Sequence, residues 1–212
     1  MSEVAIRTIS GIAMILIALA AAVVGGYAFA VLAAAVATAV FHEWTRLTKG
    51  WGAAWYLGGF LYAALAALAL LWIRERADEA DGLRLALWVF VVVWSVDIGA
   101  FFAGRAIGGP RLAPSISPGK TWAGFYGGVA AATLLGGAWV LYTGLHPVLL
   151  LLAPLFAAAA QGGDLFESWM KRRAGVKDSG RLLPGHGGVF DRVDGLLPVA
   201  ILTAIAAIAG AA

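Results

Sequence analysis

The sequence predicts an all-α polytopic integral membrane protein of about seven transmembrane helices, with a polar site at its cytosolic face. Three observations carry that reading. Of 212 residues, 62% are hydrophobic and only 13% are charged, where a soluble domain carries roughly a quarter charged residues. Mean hydropathy is +0.88. The apolar residues form continuous runs close to the ~20 residues that a spanning helix needs, without the apolar–polar alternation of barrel strands. Cysteine is absent, which excludes disulfides, thiolate catalysis and Cys-ligated metals. The basic residues lie in loops, where they orient a membrane protein and meet anionic lipids. The pI of about 9.4 is therefore no signal for nucleic acid.

The predicted spans are residues 6–24, 27–41, 51–73, 83–102, 121–143, 148–166 and 193–211. Gly25-Gly26 breaks the first from the second. Arg7 precedes the first run, which passes into the second with no small-x-small cleavage site, so it is expected to be an uncleaved span. Residues 1–82 form an N-terminal set of about three spans. Residues 83–212 carry the chemistry, in one continuous domain. With the N-terminus in the cytoplasm, twelve of the fifteen Lys and Arg residues fall on inner segments and three, Arg74, Arg76 and Arg84, on outer ones. This asymmetry predicts N-inside, C-outside and puts loops 103–120 and 167–192 on the same, cytosolic, side. The fifth span repeats Gly124, Gly128, Ala132 and Gly136 every four residues. Such a stripe serves close helix packing within the chain or a homodimer interface. Trp51, Trp55, Trp72, Trp88 and Trp122 lie near span ends, as interfacial anchors do.

One polar stretch stands out, residues 161–195. It holds five of the twelve acidic residues, Asp164, Glu167, Asp178, Asp191 and Asp194, and six of the fifteen basic ones, Lys171, Arg172, Arg173, Lys177, Arg181 and Arg192. Carboxylates suit a hard cation such as Mg²⁺, and Lys and Arg suit phosphate oxygens. Together, with several glycines, they point to a metal–polyphosphate site at a membrane surface. Asp97 lies inside the fourth span, where a carboxylate is costly and by default functional. Arg105 follows it by eight residues, on roughly the same helical face. The alternative is a buried Asp97–Arg105 pair that fastens helices. Residues 115–121, Ser-Ile-Ser-Pro-Gly-Lys-Thr, resemble a phosphate loop, but Pro114 stands where the Walker pattern needs glycine. A weaker reading keeps Ser117, Lys120 and Thr121 as phosphate contacts at a helix start. The bland one makes Ser117 a cap with Pro118 in the first turn. The three His residues, 42, 146 and 186, show no zinc spacing. His42-Glu43 could be interfacial or part of the site.

The run Ser168-x-Met170-Lys171-Arg172-x4-Lys177-Asp178-x-Gly180-x2-Leu183-Pro184-x-His186-Gly187-Gly188-Val189-x-Asp191-Arg192-Val193-Asp194 resembles the signature of phosphatidate cytidylyltransferases, the CDP-diacylglycerol synthases. Residues 161–165, 97–105 and 117–122 resemble further family segments, as does Glu43-Trp44. The resemblance implies that CTP and phosphatidate react at the cytosolic interface of a bacterial inner membrane, with Mg²⁺, to give CDP-diacylglycerol and pyrophosphate. Asp164 and Asp191 are then expected to hold the metal or metal pair, with Asp97 and Asp194 supporting them. Lys171, Arg172, Lys177 and Arg192 are expected to hold the CTP phosphates or the phosphatidate head group, and Asp178 belongs to the same signature. Ser117, Lys120 and Thr121, with Arg105, form a second phosphate contact. His186, Gly187 and Gly188 shape a turn for close backbone approach. Two other readings compete. One is a CTP-dependent polyprenol or phytol kinase, and the other is an ion-coupled transporter using Asp97 and Asp164.

Overall fold

In the computed structural model, residues 3–76 and 78–210 are described. Among the described residues, six helices are long and apolar enough to cross a membrane. They are α1 (Glu3–Val24), α2 (Gly26–Leu47), α3 (Ala53–Arg74), α4 (Glu79–Ile107), α5 (Trp122–Thr143) and α6 (Val148–Arg173). A two-stranded antiparallel hairpin, β1 (Arg111–Ala113) and β2 (Ser117–Thr121), joins α4 to α5. The chain ends with the one-turn α7 (Phe190–Val193) and α8 (Leu196–Ile208).

The expected seventh span is shorter than the other six. α8 has 13 residues, about 20 Å at 1.5 Å per residue, against a hydrocarbon core of about 30 Å. The polar Asp194-Gly195 pair precedes it and leaves only a short apolar run behind. The predicted end at Ala211 lies outside the described residues. Two other helices run further than their apolar stretches. α4 begins at Glu79, where Asp78 caps it by accepting from Ala80 N and Asp81 N. α6 continues past Asp164 to Arg173, so Ser168, Lys171 and Arg172 stand on a helix. Residues 117–121 are a strand and do not begin a helix. The cap of α5 is Thr121, whose Oγ1 accepts from Gly124 N at 3.1 Å.

α4 and α5 form the most extensive helix pair, and the small-residue stripe explains it. A Cβ on Gly124 would lie 3.0 Å from the Ala100 carbonyl oxygen, and one on Gly128 2.9 Å from that of Val96. Gly136 sits against Val92 and the Trp88 indole. The stripe is therefore spent within the chain. Trp88 is fully buried, with its indole N–H on Gly136 O at 3.0 Å; it belongs to the core and is no interfacial anchor. One apolar core packs α4, α5, α6 and α8 around Trp88, Val92 and Phe156. A second gathers Val40, Trp44, Met170, Phe190 and Leu197, at the end of the bundle that holds the polar loops. At the opposite end Arg74, 5% exposed, closes α1: its guanidinium donates to the carbonyls of Ala22 and Val23. Beside it Glu75 accepts from Gly26 N at 2.8 Å.

Candidate active site

Two glycines bring the acidic residues of α6 and of the α7–α8 turn together. Gly163 lies directly on the backbone carbonyl of Asp194 and the ring of Pro198, where any Cβ would collide. Gly195 packs closely on Ala160: a Cβ would stand 3.2 Å from the carbonyl oxygen, tight enough that the neighbour would have to give by a few tenths of an ångström. Asp164 and Asp194 consequently line one cavity of about 410 Å³. α4 supplies the facing wall with Asp97, Phe101 and Arg105, which share a helical face at spacings of four. The Arg105 guanidinium lies 6.0 Å from the centre of the Phe101 ring. The hairpin closes the cavity with Gly119, Lys120 and Thr121.

Within the cavity Lys120 Nζ stands 2.5 Å from Asp164 Oδ2. Ser168 Oγ donates to the other oxygen, Oδ1, at 3.3 Å. Asp194 Oδ1 accepts from Gly195 N at 2.8 Å. The negative charge of Asp164 acts on both Asp97 and Asp194; Lys120 opposes it at both, and Arg192 opposes it at Asp97. Three carboxylates, Asp97, Asp164 and Asp194, and two cations, Arg105 and Lys120, thus line one cavity. Among the described residues no three acidic or histidine side chains stand close enough to enclose an ion. The donors nevertheless fit a hard cation in kind, since they are carboxylate oxygens, and an ammonium group already sits on one of them.

A second polar cluster lies beside this cavity and does not line it. Lys171 bridges Glu167, at 2.5 Å, and Asp191, at 2.6 Å. Asp191 Oδ2 also accepts from Ser179 N (2.9 Å), Ser179 Oγ (2.8 Å) and Gly188 N (2.9 Å). Gly187, at φ +82°, is the turn that permits this. Burial works to raise the Asp191 carboxyl, but hydrogen bonds from Lys171, Ser179 and Gly188 outweigh it and hold the group at about 2. Asp191, expected beside Asp164 at a metal, does not line the cavity that Asp164 lines. Both Asp191 oxygens are taken by protein donors, and Asp194, one helical turn on, stands beside Asp164.

Because the folded-state pKa of Asp191 lies below its unfolded value, its contribution is full above about pH 4. It is lost as pH falls towards 2. The thermal midpoint in detergent should be insensitive to this group between pH 5 and 8 and decline below pH 4. Asp191→Asn should flatten that acid limb; an unchanged limb would assign it to other carboxylates.

Asp97, Arg105, Lys120, Thr121, Asp164 and Asp194 thus share the cavity. Lys171 pairs with Glu167 and Asp191 beside the cavity. Arg172 Nε donates to Ile116 O at 3.1 Å and ties α6 to the hairpin. Ser117 is at the far end of β2 from Lys120. Lys177 and Asp178 are exposed on the loop. His186 Nδ1 lies 2.9 Å from Ser10 Oγ of α1, and Gly188 presses on Ser179 and Glu43. Sequence reasoning missed Ser179 and the structural part of Glu167, and left Glu43 undecided. A glutamate at the end of an apolar span was the one available signal.

Acidic and basic side chains converging at one end of an apolar helical bundle define an integral membrane enzyme of phosphate-transfer chemistry. The chain belongs to the cytidylyltransferase family, whose profile matches residues 48–209. It is similar to the phosphatidate cytidylyltransferase of Brucella suis biovar 1 (strain 1330): 39% identical over 252 aligned residues, covering 95% of this chain and 92% of the relative. The alignment is longer than the chain, so the relative carries segments that this chain lacks. Phosphatidate cytidylyltransferases of Pseudomonas aeruginosa and Haemophilus influenzae are 45% and 44% identical over 151 and 126 residues, respectively. These alignments cover 69% and 56% of this chain and 55% and 44% of the relatives.

Proposed function

We propose that the chain transfers the cytidylyl group of CTP to phosphatidate, giving CDP-diacylglycerol and pyrophosphate. The observation that carries this is the single cavity in which Asp97, Asp164 and Asp194 meet Lys120 and Arg105, in a chain related along nearly its whole length to phosphatidate cytidylyltransferases. A phosphate oxygen of phosphatidate attacks the α-phosphorus of CTP. A new P–O bond forms, and the bond to the β-phosphate breaks with its electrons leaving on pyrophosphate. The reaction joins two polyanions, so positioning and charge neutralisation carry the catalysis, and no protein nucleophile is required.

Lys120 and Arg105 hold phosphate oxygens from two sides. Asp164 orients Lys120, and carboxylate oxygens such as its own and those of Asp97 and Asp194 are the kind of donor that would take Mg²⁺. That ion, when bound, supplies positive charge to the phosphates. The acyl chains stay in the bilayer beside the helices. The excess of Lys and Arg on one set of loops supports a site facing the cytosol, and bacterial relatives support the inner membrane.

Product analysis tests the reading. Purified protein receives phosphatidate, Mg²⁺ and α-labelled CTP, with and without EDTA. EDTA-sensitive label in lipid, matched by pyrophosphate, is expected. Label left as CDP, with γ-label entering a lipid alcohol, would replace the reading with a kinase. Lys120→Ala should raise the KM for CTP about tenfold, the loss of one charged hydrogen bond of ~1.5 kcal/mol. Unchanged kinetics would return the hairpin to a purely structural role.

A further inference from the structure

Glu43 is one of two fully buried glutamates at this end of the molecule, with Glu167, and lies outside residues 48–209, which the family profile matches. It stands in the last turn of α2, wholly buried. Its oxygens are filled by a segment more than 130 residues away. Oε1 accepts from Val189 N at 3.0 Å, and Oε2 accepts from Phe190 N at 2.8 Å. Ser179 Oγ lies 2.9 Å from the same Oε2 and 2.8 Å from Asp191 Oδ2. One hydroxyl proton thus faces two carboxylates. The contact is close by construction: a Cβ at either Gly180 or Gly188 would collide with Glu43. Both are glycine, and the loop folds around the carboxylate as around an anion in a nest of N–H donors.

We infer that Glu43 is a positioning residue of the reaction. Its acceptor oxygens hold the backbone at Val189 and Phe190, and so set where α7 begins. Arg192, whose charge acts on Asp97, and Asp194, which lines the cavity, follow within five residues. Through Ser179 the same carboxylate bears on Asp191, and through that on Lys171. The side chain does not line the cavity and touches no substrate; it acts through the loop. The inference rests on the cytidylyl-transfer reading for what the loop serves, and on geometry alone for the loop's dependence on Glu43.

Glu43→Gln tests it sharply. An amide has one acceptor oxygen and one donor nitrogen. Whichever way it turns, one backbone N–H of residues 189–190 faces an N–H. The expected result is a folded protein whose KM for CTP rises at least tenfold. Trypsin should cut at the exposed Lys177 and Arg181 about tenfold faster, with other cleavage sites unchanged. Glu43→Asp should recover part of both, and adding Ser179→Ala to Glu43→Gln should worsen neither by its full single-variant effect. If Glu43→Gln does not fold, Ser179→Ala alone should shift both readouts in the same direction, by less. A wild-type KM for CTP with wild-type cleavage at 177 and 181 would overturn the inference. So would a loss of activity at constant KM with all tryptic sites opened equally, which is global destabilisation. If wild-type protein makes no CDP-diacylglycerol, the functional reading fails, while the cleavage pattern still decides whether Glu43 holds the loop.

Discussion

Asp164→Asn should lower turnover at least a thousandfold while the protein remains folded. Asp164 is the residue through which the two sides of the cavity communicate. Its carboxylate holds Lys120 of the hairpin at 2.5 Å, and its charge acts on Asp97 of α4 and on Asp194. Loss of one preorganised charge at a phosphate-transfer site costs about 10²–10³ in rate. Here the same change also leaves the Lys120 ammonium without its anion, and removes a donor for a hard cation. The amide keeps the volume of the side chain, so packing around Gly163 is untouched. Single-turnover rates with α-labelled CTP, beside the elution profile in detergent, measure it. Residual activity within tenfold of wild type would remove Asp164 from the site.

The second large effect comes from a methyl group. Gly163→Ala puts a Cβ onto the Asp194 carbonyl and within 2.9 Å of Pro198 Cγ. Neither neighbour can yield cheaply, because one is backbone and the other a ring that opens α8. α6 and the 194–198 turn must separate, which carries Asp194 away from Asp164, and activity should fall more than a hundredfold. Gly162→Ala is the matched control. Nothing lies within 4 Å of a Cβ there, and replacing helical glycine with alanine favours the helix by up to ~1 kcal/mol. Adjacent, chemically identical substitutions should thus differ in sign: 162 neutral or stabilising, 163 inactivating. Equal behaviour would mean that the Gly163 contact does not set the cavity.

Much of this architecture was legible in composition and spacing. Long apolar runs require helices in lipid, and that logic placed six spans and the polar end of the bundle. The polar stretch 161–195 supplies Asp164 and Asp194 to the cavity that Asp97, singled out by the cost of a carboxylate within a span, also lines. Pairing was less legible. Asp191 and Asp194 are both three-residue neighbours on a turn, and nothing in the spacing says which faces Asp164. The answer lies in Gly163 and Gly195, whose missing side chains decide the approach of two helices. Likewise the hairpin at 111–121 depends on strand pairing between segments with no clear alternation, and Trp88 reads as an anchor until its partner Gly136 is known. Glu43 illustrates the limit: besides the Ser179 hydroxyl, its donors are the backbone N–H groups of Val189 and Phe190, which have no letter in a sequence.

The distance along the chain between Glu43 and its donors has a consequence for how the protein is made. The second helix enters the membrane with a carboxylate that must be buried. The N–H groups that satisfy it, at Val189 and Phe190, leave the ribosome only after α6 and the loop behind it. Contacts of such sequence separation form late. Until then the carboxylate, at the polar end of the second helix, lacks the backbone donors that hold it in the finished protein. Closure of the site therefore waits until residues 189 and 190 have been made and can reach back to the second helix.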